Sequence, residues 1–134
     1  MASQQPEQPE ILAPISLGEL IDKITILTIK TNKLCGQAQQ NSTKELEALQ
    51  TTLSQLNLSI EPALIQALQA INQQLWEIED QIREHERAQN FGPSFIKLAR
   101  SVYQHNDRRA AIKRDINIRY HSNLIEEKSY QPYA

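Results

Sequence analysis

One cysteine in 134 residues rules out an internal disulfide. No second Cys or His lies close enough to Cys35 to suggest a metal site, so this thiol is expected to pack or to sit at a helix end. Three glycines are too few for a phosphate-cradling loop, which removes P-loop and dinucleotide-binding readings. No apolar run approaches the roughly 20 residues needed to cross a bilayer, so no membrane span is expected. Residues 1–10 are mostly Gln, Pro and Glu and lack the basic and apolar segments of a secretory signal, making the cytoplasm the default location. The residues three before His85, His105 and His121 are Ile82, Val102 and Ile118, so the Glu-x-x-His pattern of di-metal bundles is absent. No His-x-x-x-His pair occurs, Ser101 and Ser129 lack a His and Asp arrangement, and neither a metal nor a cofactor is expected.

What is present is ordinary for one soluble domain: 40% hydrophobic and 22% charged residues. A chain of this length buries roughly two thirds of its unfolded surface. The net charge of −2 conceals an asymmetry. Residues 1–93 hold six basic against twelve acidic side chains, while residues 94–121 hold seven basic against two acidic. A basic helix can read nucleic acid. Here Glu61, Glu77, Glu79, Asp80, Glu84 and Glu86 precede it, and a hairpin would lay them beside it, so internal neutralisation is the better expectation.

Residues 1–14 read as a disordered leader ending at Pro14. Ser16 with Glu19 forms a Ser-x-x-Glu capping box, after which Leu17, Leu20, Ile24, Leu27, Thr31 and Leu34 recur at helical spacing until Gly36. The β-branched run Ile24–Ile29 leaves a strand as the alternative. Ser42-x-x-Glu45 reads as a second box, opening a shorter helix through Leu46, Leu49, Leu53 and Leu56. Pro62 suits a first helical turn. From there Leu64, Leu68, Ile71, Leu75, Ile78, Ile82 and His85 make a coiled-coil-like seam, with His85 at the core's edge. Residues 90–94 break this helix and another runs to about Tyr120. So short a link between long helices demands an antiparallel pair. Asn123 to Glu126 is expected to cap a last short turn, with Tyr130 and Tyr133 docking across the bundle. The expected architecture is an all-α four-helix bundle, two long antiparallel helices against two shorter ones, over residues 15–122, with 123–134 as a tail.

The fourth helix carries the anomaly. At 100° per residue, Phe95, Leu98, Val102, Asn106, Arg109, Lys113, Ile116 and Tyr120 fall within about 40° of one line, so three polar groups interrupt an apolar stripe. A buried unpaired cation costs several kcal/mol, which demands carboxylates, an anionic ligand or a wet cleft. Residues 77–83 should face residues 99–106 across the hairpin. Two readings stay open. In one, Asp22, Asp80, Arg100 and Asp107 belong to a satisfied ion-pair network that sets helix register. In the other, Lys23, Glu79, Arg83, Asn106, Arg109 and Lys113 form a pocket for a small anion or sugar phosphate, Arg109 clamping and Lys113 supplying a point charge. A more distant enzyme reading is an all-helical chorismate mutase, which needs no nucleophile and stabilises a dianion with Arg and Lys.

The stretches Ile15-Ser-Leu-Gly-Glu-Leu-Ile-Asp-Lys-Ile-Thr-Ile-Leu27, Leu75-Trp-Glu-Ile-Glu-Asp80 with Asn72, Phe95-Ile-Lys-Leu-Ala-Arg-Ser-Val-Tyr103 with Asn106-Asp107, Arg109-Ala110, Ile112-Lys-Arg114 and Ile116-Asn117, and Glu126-Glu-Lys-Ser-Tyr130 resemble a bacterial domain family of unassigned function. The resemblance spans residues 15–133, leaving Leu34 to Leu58 as a variable arm. Its members occur alone or near glycosyltransferase and tetratricopeptide-repeat modules, which implies a link to surface-polysaccharide assembly. The family assigns no catalytic residue, so none is carried over. The functional expectation is a helical accessory or interaction module with a protein partner or a second copy of itself, more a binder than an enzyme.

Overall fold

The computed structural model describes residues 8–129 and 132. Four helices make up its regular structure: α1 Leu17–Lys33, α2 Gly36–Gln55, α3 Pro62–Arg87 and α4 Pro93–Arg119. Helix α1 is the central element. It packs on α2 and on both members of the antiparallel α3–α4 hairpin, so the bundle is organised around its shortest helix.

Ser16 caps α1 through a hydrogen bond from the Glu19 amide to its Oγ, 3.0 Å long. The reciprocal half of the box does not form, because the Glu19 carboxylate accepts from Lys113 instead. The run Ile24–Ile29 is helical, and its threonines adapt by bonding back to the chain: Thr25 Oγ1 to the Asp22 carbonyl and Thr28 Oγ1 to the Ile24 carbonyl. Gly18 marks the closest approach of α1 and α4. A Cβ there would stand 2.5 Å from the Lys113 carbonyl oxygen, so only glycine fits.

Two sequence expectations need correction. Helix α2 starts at Gly36, not at Ser42. The chain turns at Leu34 and Cys35, and Gly36 has the positive φ of 62° that begins the new helix. The Gln- and Asn-rich stretch before Ser42 contains no helix breaker, and Ser42 Oγ bonds back to the Ala38 carbonyl inside the helix rather than capping it. The second correction concerns the tail: residues 123–129 form no final helical turn. Glu126 instead reaches across to α1, accepting from Ser16 Oγ and, at 3.2 Å, from Asn117 Nδ2. Tyr130 and Tyr133, expected to dock on the bundle, lie outside the described residues, as do residues 1–7 of the leader. Residues 8–14 have no regular structure, and Ile11 and Leu12 project into solvent.

The core sits at one end. Leu17 and Ile21 of α1, Leu68 and Ile71 of α3 and Ile116 of α4 form it, with Leu53, Ile60, Leu64, Ile112 and Tyr120 packed around them. The Tyr120 hydroxyl accepts from the Glu61 amide at 2.7 Å, tying the end of α4 to the start of α3. From Trp76 to Asp115 not one residue is buried. The far half of the hairpin is therefore an arm of two helices. Its seam residues, Ile78, Ile82, Leu98 and Val102, are only half-covered. His85 lies at the arm's end, its Nδ1 beside the Gln81 carbonyl, its Nε2 3.0 Å from Ser94 Oγ, and its ring tilted against Phe95. No helix among the described residues is long and apolar enough to cross a membrane.

Candidate functional site: a buried carboxylate and the cleft beside it

Where the core gives way to the arm, the polar layer is built around Asp22, whose side chain is 0% exposed. Ile21 and Thr25 flank it on the inner face of α1. Position 109 of α4 lies opposite because the hairpin and the close contact at Gly18 set the register of α1 against α4. Arg109 grips both carboxylate oxygens, Nε on Oδ1 at 2.9 Å and a terminal nitrogen on Oδ2. This is the two-pronged geometry that makes guanidinium the strongest partner for a carboxylate. Asn72 of α3 donates its amide to Asp22 Oδ1 at 2.8 Å and to Thr25 Oγ1 at 2.9 Å. Lys113 bonds Glu19 and stands 3.8 Å from Asp22 Oδ2.

Burial alone pushes the Asp22 carboxyl up. The hydrogen bonds from Arg109 and Asn72 and the charges of Arg109 and Lys113 outweigh it and hold the group below its ordinary value. The same bond to Asp22 raises the Arg109 guanidinium further, so both partners stay ionised. A second, smaller carboxylate site lies one to two turns lower, where Glu126 meets Ser16 and Asn117. Burial raises Glu126, but the Ser16 hydrogen bond leads the effects that bring it below its ordinary value. Asn117 Oδ1 also accepts from the Gly18 amide at 2.7 Å, and the Leu17 amide donates to Ser122 Oγ at 3.0 Å. Two of the amides left unbonded at the start of α1 are thereby satisfied by α4 and the segment after it.

The residues singled out in the sequence divide. Asp22, Arg109, Lys113 and Asn106 meet, with Arg109 donating to Asn106 Oδ1 at 3.4 Å. Lys23 stays at the edge, half-buried and 3.9 Å from Glu19. Asp80 and Arg83 lie on the exposed side of α3, Glu79 borders the groove toward α1, and Arg83 pairs loosely with the two carboxylates, at 3.9 Å to Glu79 and 3.8 Å to Asp80. Arg100 is exposed and reaches Tyr103 on its own helix, and Asp107 is half-buried on α4 outside the bonds around Asp22. Asp80 and Arg100 thus fall outside the network to which the sequence assigned them, because the arm has no third helix to enclose them. Glu19, Thr25, Asn72, Asn117 and Glu126 were missed. Asn72 and Asn117 left a trace: each adjoins an apolar seam position, beside Ile71 and Ile116, and both stand among the motifs that carry the family resemblance.

Next to this cluster, between the second half of α1 and the hairpin, lies a cleft of about 160 Å³. Ile26 and Ile29 of α1 and Leu75 and Trp76 of α3 give it apolar walls. Asn72, Glu79, Asn106 and Arg109 supply its polar groups. Among the described residues no group of His, Cys, Asp and Glu side chains is placed to hold a metal ion. Because Arg109 and Lys113 are already engaged by Asp22 and Glu19, the layer does not present the open cationic face that a dianionic substrate requires.

No curated protein and no solved structure shows significant similarity to the chain. A family model does match, over residues 11–133, and the chain belongs to the family described as "Family of unknown function (DUF6165)".

Proposed function

We propose that the chain is a helical interaction module that works by docking, and that its docking element is the outward side of the α3–α4 hairpin, paired with the same surface of a second copy. The observation that carries this reading is the run from Trp76 to Asp115 without a buried residue. Helices in proteins draw most of their stability from packing an apolar face, so a two-helix arm that cannot close a core gains from a further layer. On α4, Ile96, Tyr103 and Ile118 are exposed and share one face at 100° per residue, turned away from the seam to α3. The outward hairpin face is about 39 Å long, for a 26-residue helix, and about two helix diameters wide. That area, on the order of 800 Å², is what a stable interface asks of each partner.

Charge favours a second copy as the occupant. Within the arm, α3 carries Glu77, Glu79, Asp80, Glu84 and Glu86 against Arg83 and Arg87, and α4 carries Lys97, Arg100 and Arg108 against Asp107. A two-fold axis running along the arm stacks each acidic α3 on the partner's basic α4, making the surface self-complementary. Such a module would act beside an enzyme, with surface-polysaccharide assembly as the setting its motifs suggest. Light scattering after size exclusion tests the pairing. We expect a mass near twice 15.4 kDa, reduced to one chain by Ile96→Asp together with Tyr103→Asp at unchanged helical content. A single-chain mass for the wild type at high micromolar concentration would sink the reading.

A further inference from the structure

We infer that the cleft between α1 and the hairpin is a binding site for a small, uncharged, hydroxyl-bearing molecule about one ring in size. Its volume of about 160 Å³ equals roughly five waters, which suits a six-membered ring with its substituents. The cleft has the composition of a ligand site, apolar walls with a few convergent polar groups. The informative side chain is Asn72. It is 5% exposed, and both of its bonds, to Asp22 and Thr25, are made by its Nδ2. Its Oδ1 accepts from no described residue. Since no fully enclosed side-chain polar atom among the described residues lacks a partner, this oxygen keeps an opening, and the cleft is what Asn72 lines. A buried amide held rigid by two donated bonds, with its acceptor left over, is a fixed recognition group. Glu79 adds a second acceptor. The Asn106 amide and the remaining Arg109 N–H groups, from residues that line the cleft, are the donors.

The charge balance decides the ligand's class. An anion would compete for Arg109 with a buried carboxylate that already holds it at two points, and for Lys113 with Glu19. An ammonium would stand against the Arg109 guanidinium that lines the cleft, while the Glu79 carboxylate, about half exposed, attracts it only weakly. What remains is a neutral cleft with both donors and acceptors, which matches hydroxyl groups, each able to give and take a hydrogen bond. The face of Trp76 suits the C–H side of a ring.

Trp76 is the only tryptophan in the chain, so its fluorescence reports on this cleft alone. Wild-type protein should be titrated to high millimolar concentration with myo-inositol and D-glucose as neutral probes, inorganic phosphate as the anion and methylammonium as the cation. The inference expects a saturable change in emission with at least one neutral probe and none with the two ions. Glu79→Ala and Asn106→Ala should each weaken that binding about tenfold, the loss of one hydrogen bond, with an unchanged melting temperature for Glu79→Ala, whose side chain is about half exposed. No saturable change with either neutral probe overturns the inference, as does a response to phosphate or methylammonium alone, or equal binding by both variants. The oligomeric mass is a separate measurement, so the two proposals stand or fall independently.

Discussion

The two halves of the α3–α4 hairpin are built from similar residues and differ in what covers them. In the lower half α1 lies across the seam: Leu68, Ile71 and Ile116 are buried, and Asp22 is closed off from solvent and bonded on both oxygens. In the upper half the same apolar spacing continues through Ile78 and Ile82 on α3 and Leu98 and Val102 on α4, yet nothing becomes buried. The charged side chains follow this division. Below, Asp22 and Arg109 hold one geometry over 87 residues of chain. Above, Glu79, Asp80 and Arg83 pair at 3.8 to 3.9 Å on an exposed surface, where such pairs contribute little. A third helix converts an apolar stripe into a core and an ion pair into a fixed element of the fold.

The largest effect separates these halves directly. Arg109→Met leaves Asp22 buried with its main partner gone, and breaking a buried pair in this way costs about 3 to 5 kcal/mol. Arg83→Met removes a cation of the same type from the arm and should change stability by no more than about 0.5 kcal/mol. Thermal unfolding of the two variants beside wild type measures the contrast. Equal melting temperatures would mean that α1 does not hold the Asp22 layer shut.

This contrast also explains what could be read before the structure. Helix identity and order were legible because caps and spacing are local: Ser16, Pro62 and the break at residues 90–94 do their work within a few residues. The anomaly at Asn106, Arg109 and Lys113 was visible as polar residues on an apolar line, and Asp22 was placed near it. What could not be read was which carboxylates would be enclosed. That depends on how far α1 reaches along the hairpin, and Lys33 ends it well short of the arm's tip. Asp80 and Arg100 have the right residue types at plausible heights, but only Asp22 and Glu19 are carried by the helix that provides the cover. The start of α2 was misread because Ser42-x-x-Glu45 satisfies the capping pattern while lying inside a helix that the positive φ of Gly36 had already begun.

Acid should sharpen the comparison by loosening the lower half first. Asp22 and Glu126 are both held below their ordinary values, 3.8 and 4.5 respectively. Near those values the unfolded chain therefore binds more protons than the folded one. The stability that these groups contribute is complete above the ordinary values, and it is lost as pH falls through them toward the depressed folded values. Melting temperature should be flat above about pH 5 and fall steadily below it. Glu126→Gln removes the charge and keeps one acceptor oxygen for the two donors, Ser16 Oγ and Asn117 Nδ2, so it should remove the first part of that fall at an expense of about 1 kcal/mol at neutral pH. An unchanged acid profile in this variant would assign the whole effect to Asp22 and its neighbours.

The smallest effect asks whether the arm shares the stability of the lower half at all. Gln89 ends α3 with a left-handed φ of 55°, and the Asn90 amide bonds back to the His85 carbonyl at 2.9 Å, the closing bond of a helix C-terminus that normally carries glycine. A glutamine pays a steric penalty in this conformation that glycine avoids, so Gln89→Gly should stabilise the turn by about 0.5 to 1 kcal/mol. Where that gain appears tells how the two halves are joined. If the hairpin unfolds as one unit with α1, the gain reaches the global transition and the melting temperature rises by a few degrees. If the arm opens independently, the melting temperature stays fixed, and the gain appears as slower amide exchange confined to residues near the turn. The half-covered seam at Ile78, Ile82, Leu98 and Val102 predicts local slowing for the single chain. Pairing of the arms should convert it into a concentration-dependent rise in melting temperature, so Gln89→Gly measured at low and high protein concentration distinguishes an arm that frays from one that is docked.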